Sequence, residues 1–400
     1  MSSHKPSLDS LCVKEQVHTP DVPPHVQPIY ATSSFAFRDI EQSIRVFSGE
    51  EPGHKYSRYG NPTVDAAAAK IAALEGYDLD DDVAAVMTSS GMSAIATLLM
   101  ATLEKGDRVL TQGNLYGGTT ELLGKVFERL GIEPVFADLH RLDEVERLLR
   151  TDARIRMCYF ETPANPTLAC VDIEALATLA RRHGRYSAID NTFATPCLQR
   201  PLALGVDFVI HSTTKYLNGH GTGIAGVIVG RKALIEGPVW ETMKLTGTNC
   251  SPFEAWLVLQ GMKTLPLRME RHCHNARTLA HWLAARPEVA RVNWPGLPTH
   301  PDHETAKKQM TDFGAMLSFE LAGGLEAGKQ FMNRLRFCAL APTLGDVDTL
   351  VLHPASSSHL NVPRELRLAN GITDGLVRIS VGIESVDDLI ADFEQALEGL

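Results

Sequence analysis

Apolar and polar positions fall into no regular pattern before about Thr63. Pro20, Pro23, Pro24 and Pro28 interrupt helix, and Tyr56-Ser57-Arg58-Tyr59-Gly60-Asn61-Pro62 reads as an extended, exposed loop. Such a segment is not expected to fold alone. It should lie on another surface, its own or a neighbouring subunit's. From Thr63 the pattern turns periodic. Residues 64–74 predict an alanine-rich helix, 83–87 an apolar strand, and 95–103 an apolar helix after Ser89-Ser90-Gly91. Strands follow at 108–111, 134–136, 157–161, 186–190 and 207–211. Helices are predicted between them at 121–130, around 145–149, and at 173–182. Strands alternating with helices of this length imply a mainly parallel sheet wrapped by helices. In such sheets ligands collect beyond the C-terminal strand ends.

A second region begins near Ser251. A long helical stretch over 253–286 leads to a strand at 289–294. Residues 313–321 alternate like a strand, 376–381 form another, and a helix over 387–397 closes the chain. This predicts a smaller C-terminal α+β domain. The expected division is 1–62 as an N-terminal extended segment, 63–250 as the large domain, and 251–400 as the C-terminal domain.

Bulk properties narrow the function only slightly. The 400 residues are 44% hydrophobic and 22% charged, enough for a sizeable core. The net charge of −10 argues against a nucleic-acid partner, which needs a concentrated basic face. No run is apolar enough to predict a membrane span, and the first 22 residues do not read as a signal peptide. Seven scattered cysteines, Cys12, Cys158, Cys170, Cys197, Cys250, Cys273 and Cys338, read as reduced thiols in a cytoplasmic protein. Neither they nor the histidines have zinc-ligand spacing, so no metal site is expected.

The strand ends carry the chemistry. Asp190 ends an otherwise apolar strand, and Ser212-Thr213-Thr214-Lys215 follows the next one. Asn165 and Asn191 hold similar positions. The plainer reading of Asp190 and Lys215 is a salt bridge, and from these two residues alone it is as good as the functional one. The functional reading is a desolvated lysine with a lowered pKa, a nucleophile toward an aldehyde. Ser89-Ser90-Gly91-Met92-Ser93 links a strand to a helix and could present free N–H groups to a phosphate. Taken alone, a plain capping serine with a glycine turn explains it better. Ser212 and Thr214 add hydroxyls, and Tyr116 in Tyr116-Gly117-Gly118-Thr119 offers a stacking face. Arg378 could bind a carboxylate bidentately or serve a structural ion pair. Gly221-Thr222-Gly223-Ile224-Ala225-Gly226 matches a dinucleotide fingerprint, but strand-like Val227-Ile228-Val229 follows it where a helix is required. It reads as a glycine turn behind Lys215.

Two stretches carry a resemblance. Ser212-Thr213-Thr214-Lys215-Tyr216-Leu217-Asn218-Gly219-His220 and Tyr56-Ser57-Arg58-Tyr59-Gly60-Asn61-Pro62-Thr63 resemble the cystathionine γ-synthase-like (Cys/Met metabolism) group of fold-type I pyridoxal-phosphate (PLP) enzymes. The likeness runs from about Val26 to Leu397. Glu161-Thr162-Pro163-Ala164-Asn165-Pro166, Arg268-Met269-Glu270-Arg271-His272-Cys273, Leu344-Gly345-Asp346 and His353-Pro354-Ala355-Ser356 are most similar to the branch that eliminates a thiol from methionine.

The resemblance implies a fold and a set of roles. The fold would be that of the fold-type I PLP-dependent transferases. Lys215 would hold the cofactor as a Schiff base and shuttle protons, and Asp190 would hold the pyridine nitrogen. Tyr116 would stack on the ring and protonate the departing sulfur. Ser90, Gly91, Met92, Ser212 and Thr214 would form the phosphate site, joined by Tyr56 and Arg58 from a neighbouring subunit. Arg378, with Asn165 and the Thr343 backbone, would bind the carboxylate of a sulfur-containing amino acid. The assembly would be a homotetramer, a dimer of dimers with shared active sites. The reaction implied is α,γ-elimination of L-methionine to methanethiol, 2-oxobutanoate and ammonia. Gly118 stands where that branch carries cysteine, and Leu245 where it carries aspartate. Cleavage of cystathionine, or γ-replacement by an incoming thiol, therefore stays open. Against the synthases, Asp346 and Ser356 replace a glycine and an isoleucine.

Overall fold

Seven strands build the larger sheet: β1 (Val83–Thr88), β2 (Arg108–Thr111), β3 (Glu133–Phe136), β4 (Ile155–Glu161), β5 (Tyr186–Asp190), β6 (Phe208–Ser212) and β7 (Gly226–Arg231). The computed structural model describes residues 5–14, 24–360 and 362–400, so Pro20 and Pro23 lie outside the described residues. Across the sheet the order is β1-β7-β6-β5-β4-β2-β3, and only β7 runs against its neighbours. The strands read as apolar runs because both faces are covered. On β6, Phe208 and Ile210 join one buried cluster with Ile95 and Leu98. Val209, pointing the other way, joins a second cluster with Ile71 and Val227. One edge of the sheet consequently carries Thr88, Glu161, Asp190 and Ser212, the last residues of β1, β4, β5 and β6.

The second sheet has strands β8 (Val289–Asn293), β9 (Met316–Leu321), β10 (Ala339–Leu340), β11 (Leu350–Leu352) and β12 (Leu376–Ser380). Their order is β10-β11-β12-β9-β8, antiparallel except for β10 with β11. Phe319, Phe331 and Phe393 meet edge-on beneath it, with ring centroids 5.4 and 5.3 Å apart. The expected α/β architecture, a mostly parallel sheet plus a smaller α+β part, is therefore present. No helix among the described residues is long and apolar enough to cross a membrane.

Several local expectations need correction. The first sixty residues are not wholly irregular, since Leu8–Val13 and Ile40–Ser48 are helices. Asp39 caps the second helix, its carboxylate accepting from the Gln42 N–H at 2.7 Å, and Gly49 ends it at φ +83°. Those caps were readable, but the nearby prolines outweighed them. Tyr56–Gly60 is a turn closed by Tyr59 N–H on the Tyr56 carbonyl, not an extended loop. The stretch expected as one helix over 253–286 is two, Pro252–Met262 and Leu265–Ala284. Pro266 has no N–H to give the Met262 carbonyl and its ring crowds that group, so the first helix ends there. The helix expected from Glu121 starts at Gly117, which makes Tyr116 its cap position. The glycine motif ending at Gly226 does open a strand, and Gly226 has no side chain because the Ser90 carbonyl lies against it.

Candidate active site

A cavity of about 270 Å³ opens over the strand-end edge and reaches Arg378 of β12. Lys215 enters it from the turn after β6, where its N–H donates to the Ser212 carbonyl at 3.1 Å. The Lys215 Nζ donates to Thr343 Oγ1 at 2.8 Å. No carboxylate pairs with this amine among the described residues, so the salt-bridge reading is set aside. Burial, helped by the Arg378 charge, pushes its pKa down to about 8. That is the desolvated amine anticipated from the sequence. A larger cleft of about 590 Å³, beside the end of β3, contains neither Lys215 nor Arg378.

Asp190 lines the same cavity. Its Oδ1 accepts from the Thr192 N–H at 3.0 Å, and Thr192 Oγ1 in turn accepts from the Ser212 N–H at 2.8 Å. Burial raises the Asp190 pKa, opposed by the Thr192 hydrogen bonds. In register beside it stands Glu161, 5% exposed, at the end of β4. Both Glu161 oxygens lie within hydrogen-bond distance of the Tyr116 N–H, at 3.0 and 2.9 Å. Burial and the adjacent Asp190 push the Glu161 carboxyl well above the usual range.

Ser90, Gly91 and Met92 open the helix Gly91–Thr102 at the cavity wall. Ser90 Oγ accepts from the Ser93 N–H at 3.0 Å, while Ser93 Oγ accepts from the Ser90 N–H at 2.8 Å. This reciprocal capping box holds the helix end and leaves the Gly91 and Met92 N–H groups without an acceptor among the described residues. A Cβ on Gly91 would sit 2.8 Å from Ser212 Cβ, so only glycine brings the two walls together. Thr214 Oγ1 is engaged with the Ala225 main chain at 3.2 Å.

Tyr116 lies at the cavity mouth with its ring half exposed. A Cβ on Gly118 would meet that ring at 2.6 Å and Met92 Sδ at 3.1 Å. Arg378 is 4% exposed; it donates to the Thr343 carbonyl at 2.8 Å and to Asn165 Oδ1 at 3.3 Å. Its Nε has no partner, and no carboxylate faces it among the described residues. The cavity thus gathers Ser90, Gly91, Met92, Tyr116, Asn165, Asp190, Ser212, Thr214, Lys215 and Arg378, with Thr343 bonded to two of them. Tyr56 and Arg58 are not brought in. Arg58 donates to the Lys244 carbonyl and lies 4.9 Å from the Tyr59 ring. Glu161 and Thr192 were missed as site residues. Glu161 ends a strand just as Asp190 does, and the same strand-end rule would have found it.

Residues 9–398 match the family described as Cys/Met metabolism PLP-dependent enzyme. The chain belongs to that family. It is 51% identical over 373 residues to the L-methionine gamma-lyase of Fusobacterium nucleatum subsp. polymorphum, covering 93% of each chain. It is 42% identical to the O-succinylhomoserine sulfhydrylase of Pseudomonas aeruginosa, covering 98% of this chain and 96% of that one. The solved cystathionine gamma-lyase of Lactobacillus plantarum, complexed with L-serine, superimposes with a TM-score of 0.89 at 37% identity, covering 98% of both. The fold is that of the fold-type I PLP enzymes, and the cofactor of the family is pyridoxal phosphate.

The cavity fits that cofactor. Among the described residues, a carboxylate with no ion-pair partner suits a protonated ring nitrogen, and helix N–H groups without an acceptor suit a phosphate. An amine held only by a hydroxyl suits an aldehyde. A buried guanidinium with an orphaned Nε suits the substrate carboxylate.

Proposed function

We propose that this chain catalyses α,γ-elimination of L-methionine, with water, to methanethiol, 2-oxobutanoate and ammonia. The observation that carries the reading is the buried, carboxylate-free Arg378, tied through Thr343 to a lysine of lowered pKa. Pyridoxal phosphate, when bound, supplies an electron sink for the charge left on Cα after its proton departs. In this reading Lys215 holds the cofactor through Nζ, Asp190 accepts from its ring nitrogen, and Gly91, Met92, Ser212 and Thr214 hold its phosphate. Ser90 keeps the helix end in place. Tyr56 and Arg58 reach the phosphate from a neighbouring copy.

Arg378 and Asn165 orient the substrate carboxylate, with the Thr343 carbonyl bracing the guanidinium. That fixes which Cα bond is activated. Lys215 Nζ takes the Cα proton; an amine of pKa about 8 is partly uncharged at neutral pH and can do so. Having delivered the first proton, Lys215 Nζ takes a second from Cβ, and the Cγ–sulfur bond breaks. Tyr116 Oη gives the proton that the departing thiolate needs. Its place at the cavity mouth supports that role.

The identity to L-methionine gamma-lyases supports methionine as substrate. Gly118 favours a second reading, cystathionine cleavage, because its missing side chain leaves Tyr116 and Met92 as the wall there. Methanethiol and 2-oxobutanoate should form from methionine alone, with cystathionine as a competitor. Turnover only with an O-acylhomoserine plus a thiol would overturn the reading in favour of γ-replacement.

The working assembly in this reading is a homotetramer, a dimer of dimers. Residues 1–62 contact the neighbour, 63–250 form the cofactor domain and 251–400 the C-terminal domain. The exposed apolar face Ile40, Ile44 and Phe47 supports it. Seven free cysteines, six of them buried, support a reducing, cytoplasmic setting.

A further inference from the structure

Glu161 is a buried carboxyl group to which the reaction outlined above gives no task. Its main chain is clamped on both sides by one amide: Glu161 N–H donates to Gln112 Oε1 at 3.2 Å, and Gln112 Nε2 donates to the Glu161 carbonyl at 3.1 Å. Its side chain faces the cavity and meets the Tyr116 N–H with both oxygens. Parallel pairing sets it directly beside Asp190. Tyr116 itself has no side-chain cap at the start of its helix and a half-exposed ring, so this main-chain bond is its anchor to the sheet.

We propose that Glu161 is a positioning residue, tying the main chain of Tyr116 to the strand end that carries Asp190 and so setting the ring over the cofactor site. It does this as an uncharged acid. The Tyr116 N–H and the nearby Thr119 hydroxyl do not compensate a buried carboxylate, and no cation pairs with it among the described residues. A second negative charge beside Asp190 is opposed again by that neighbour. The pair therefore carries one negative charge, left on Asp190, where a ring nitrogen can use it. The inference rests on the proposed roles of Tyr116 and Asp190.

The test compares holoenzyme carrying Glu161→Gln and Glu161→Ala with the natural chain. Gln keeps an acceptor for Tyr116 and carries no charge. It should hold kcat/KM within about threefold and leave the cofactor absorption band in place. Ala removes the tether. It should lower kcat at least about tenfold with little change in KM, and shift the absorption band. The infrared difference between the natural chain and Glu161→Gln should contain the C=O stretch of a protonated carboxylic acid at neutral pH. Absence of that stretch overturns the proposal, as does a Gln variant as impaired as Ala, or an Ala variant like the natural chain. Should Ala not fold, the infrared band and the Gln variant decide. If the natural chain released nothing from methionine, the function proposed above would fall. The infrared and absorption measurements would still judge Glu161.

Discussion

Lys215 Nζ donates to Thr343 Oγ1 at 2.8 Å, across 128 residues of sequence. The bond holds the reactive amine without a counter-charge, and Arg378 hangs from the carbonyl of the same threonine. The guanidinium charge therefore adds to the cost that burial puts on protonating the amine.

The cost of the amine has a pH signature. Its pKa is near 8 in the fold, and an unfolded lysine lies at about 10.4. Between those values the unfolded chain binds more protons, so cofactor-free stability rises with pH across that window. Below pH 8 the full penalty persists. Lys215→Met should be more stable than the natural apoprotein at pH 7, by on the order of 2–3 kcal/mol. Urea titrations should show the gap shrinking toward pH 10.

Arg378 should trade stability for binding. Burial pushes its pKa down to about 10, and its Nε lacks a partner. Arg378→Met removes a buried charge and should leave the melting temperature of the apoprotein unchanged or higher. Methionine kcat/KM should fall at least about a hundredfold, with Arg378→Lys only partly restoring it, since lysine cannot bind bidentately. Calorimetry and steady-state kinetics check the two halves separately.

Gly118 should govern the Tyr116 ring. Its backbone is not left-handed, so alanine is tolerated there, and in a helix alanine is favoured over glycine by about 1 kcal/mol. The added Cβ would meet the ring at 2.6 Å and move it. Gly118→Ala should keep or raise stability yet lower kcat on methionine about tenfold. Its ratio of cystathionine to methionine turnover should change, which product analysis reads directly.

His140 should contribute a pH-dependent bond between the two sheet regions. Its Nε2 lies 3.2 Å from Asp302 Oδ1, and its Nδ1 3.0 Å from Asp138 Oδ1. Those carboxylates, Asp302 foremost, raise its pKa to about 9. The contribution is full below the unfolded value of about 6.5 and fades as pH rises through 9. The imidazole is 43% exposed, so solvent screening limits the effect to about 1 kcal/mol or less. His140→Gln should lower the melting temperature at pH 6 and leave it unchanged at pH 10.

Much of this was legible along the chain. β2, β5 and the helix Ile173–Arg182 stand where the apolar pattern put them. Asp190 and Lys215 were singled out because the end of a parallel strand is where a ligand meets the sheet. Two-residue and 3.6-residue periods are local properties, and local sequence encodes them. The helix Ile40–Ser48 escaped although Ile40, Ile44 and Phe47 fall at helical spacing, because the prolines before it outweighed its short period and its caps.

What the sequence could not decide was convergence. Which strand neighbours which is set by long-range packing of two covered sheet faces, and that order is what puts Glu161 beside Asp190. Arg378 and Asn165 are 213 positions apart and meet only because β12 turns its side chain toward the edge of the other sheet. The sequence alone determined the residue types, their strand ends and the family they resemble. The tertiary structure alone set aside the salt bridge, because that depends on no carboxylate pairing with Lys215 among the described residues. The lack of a counter-charge is a property of the packed cavity, not of any segment.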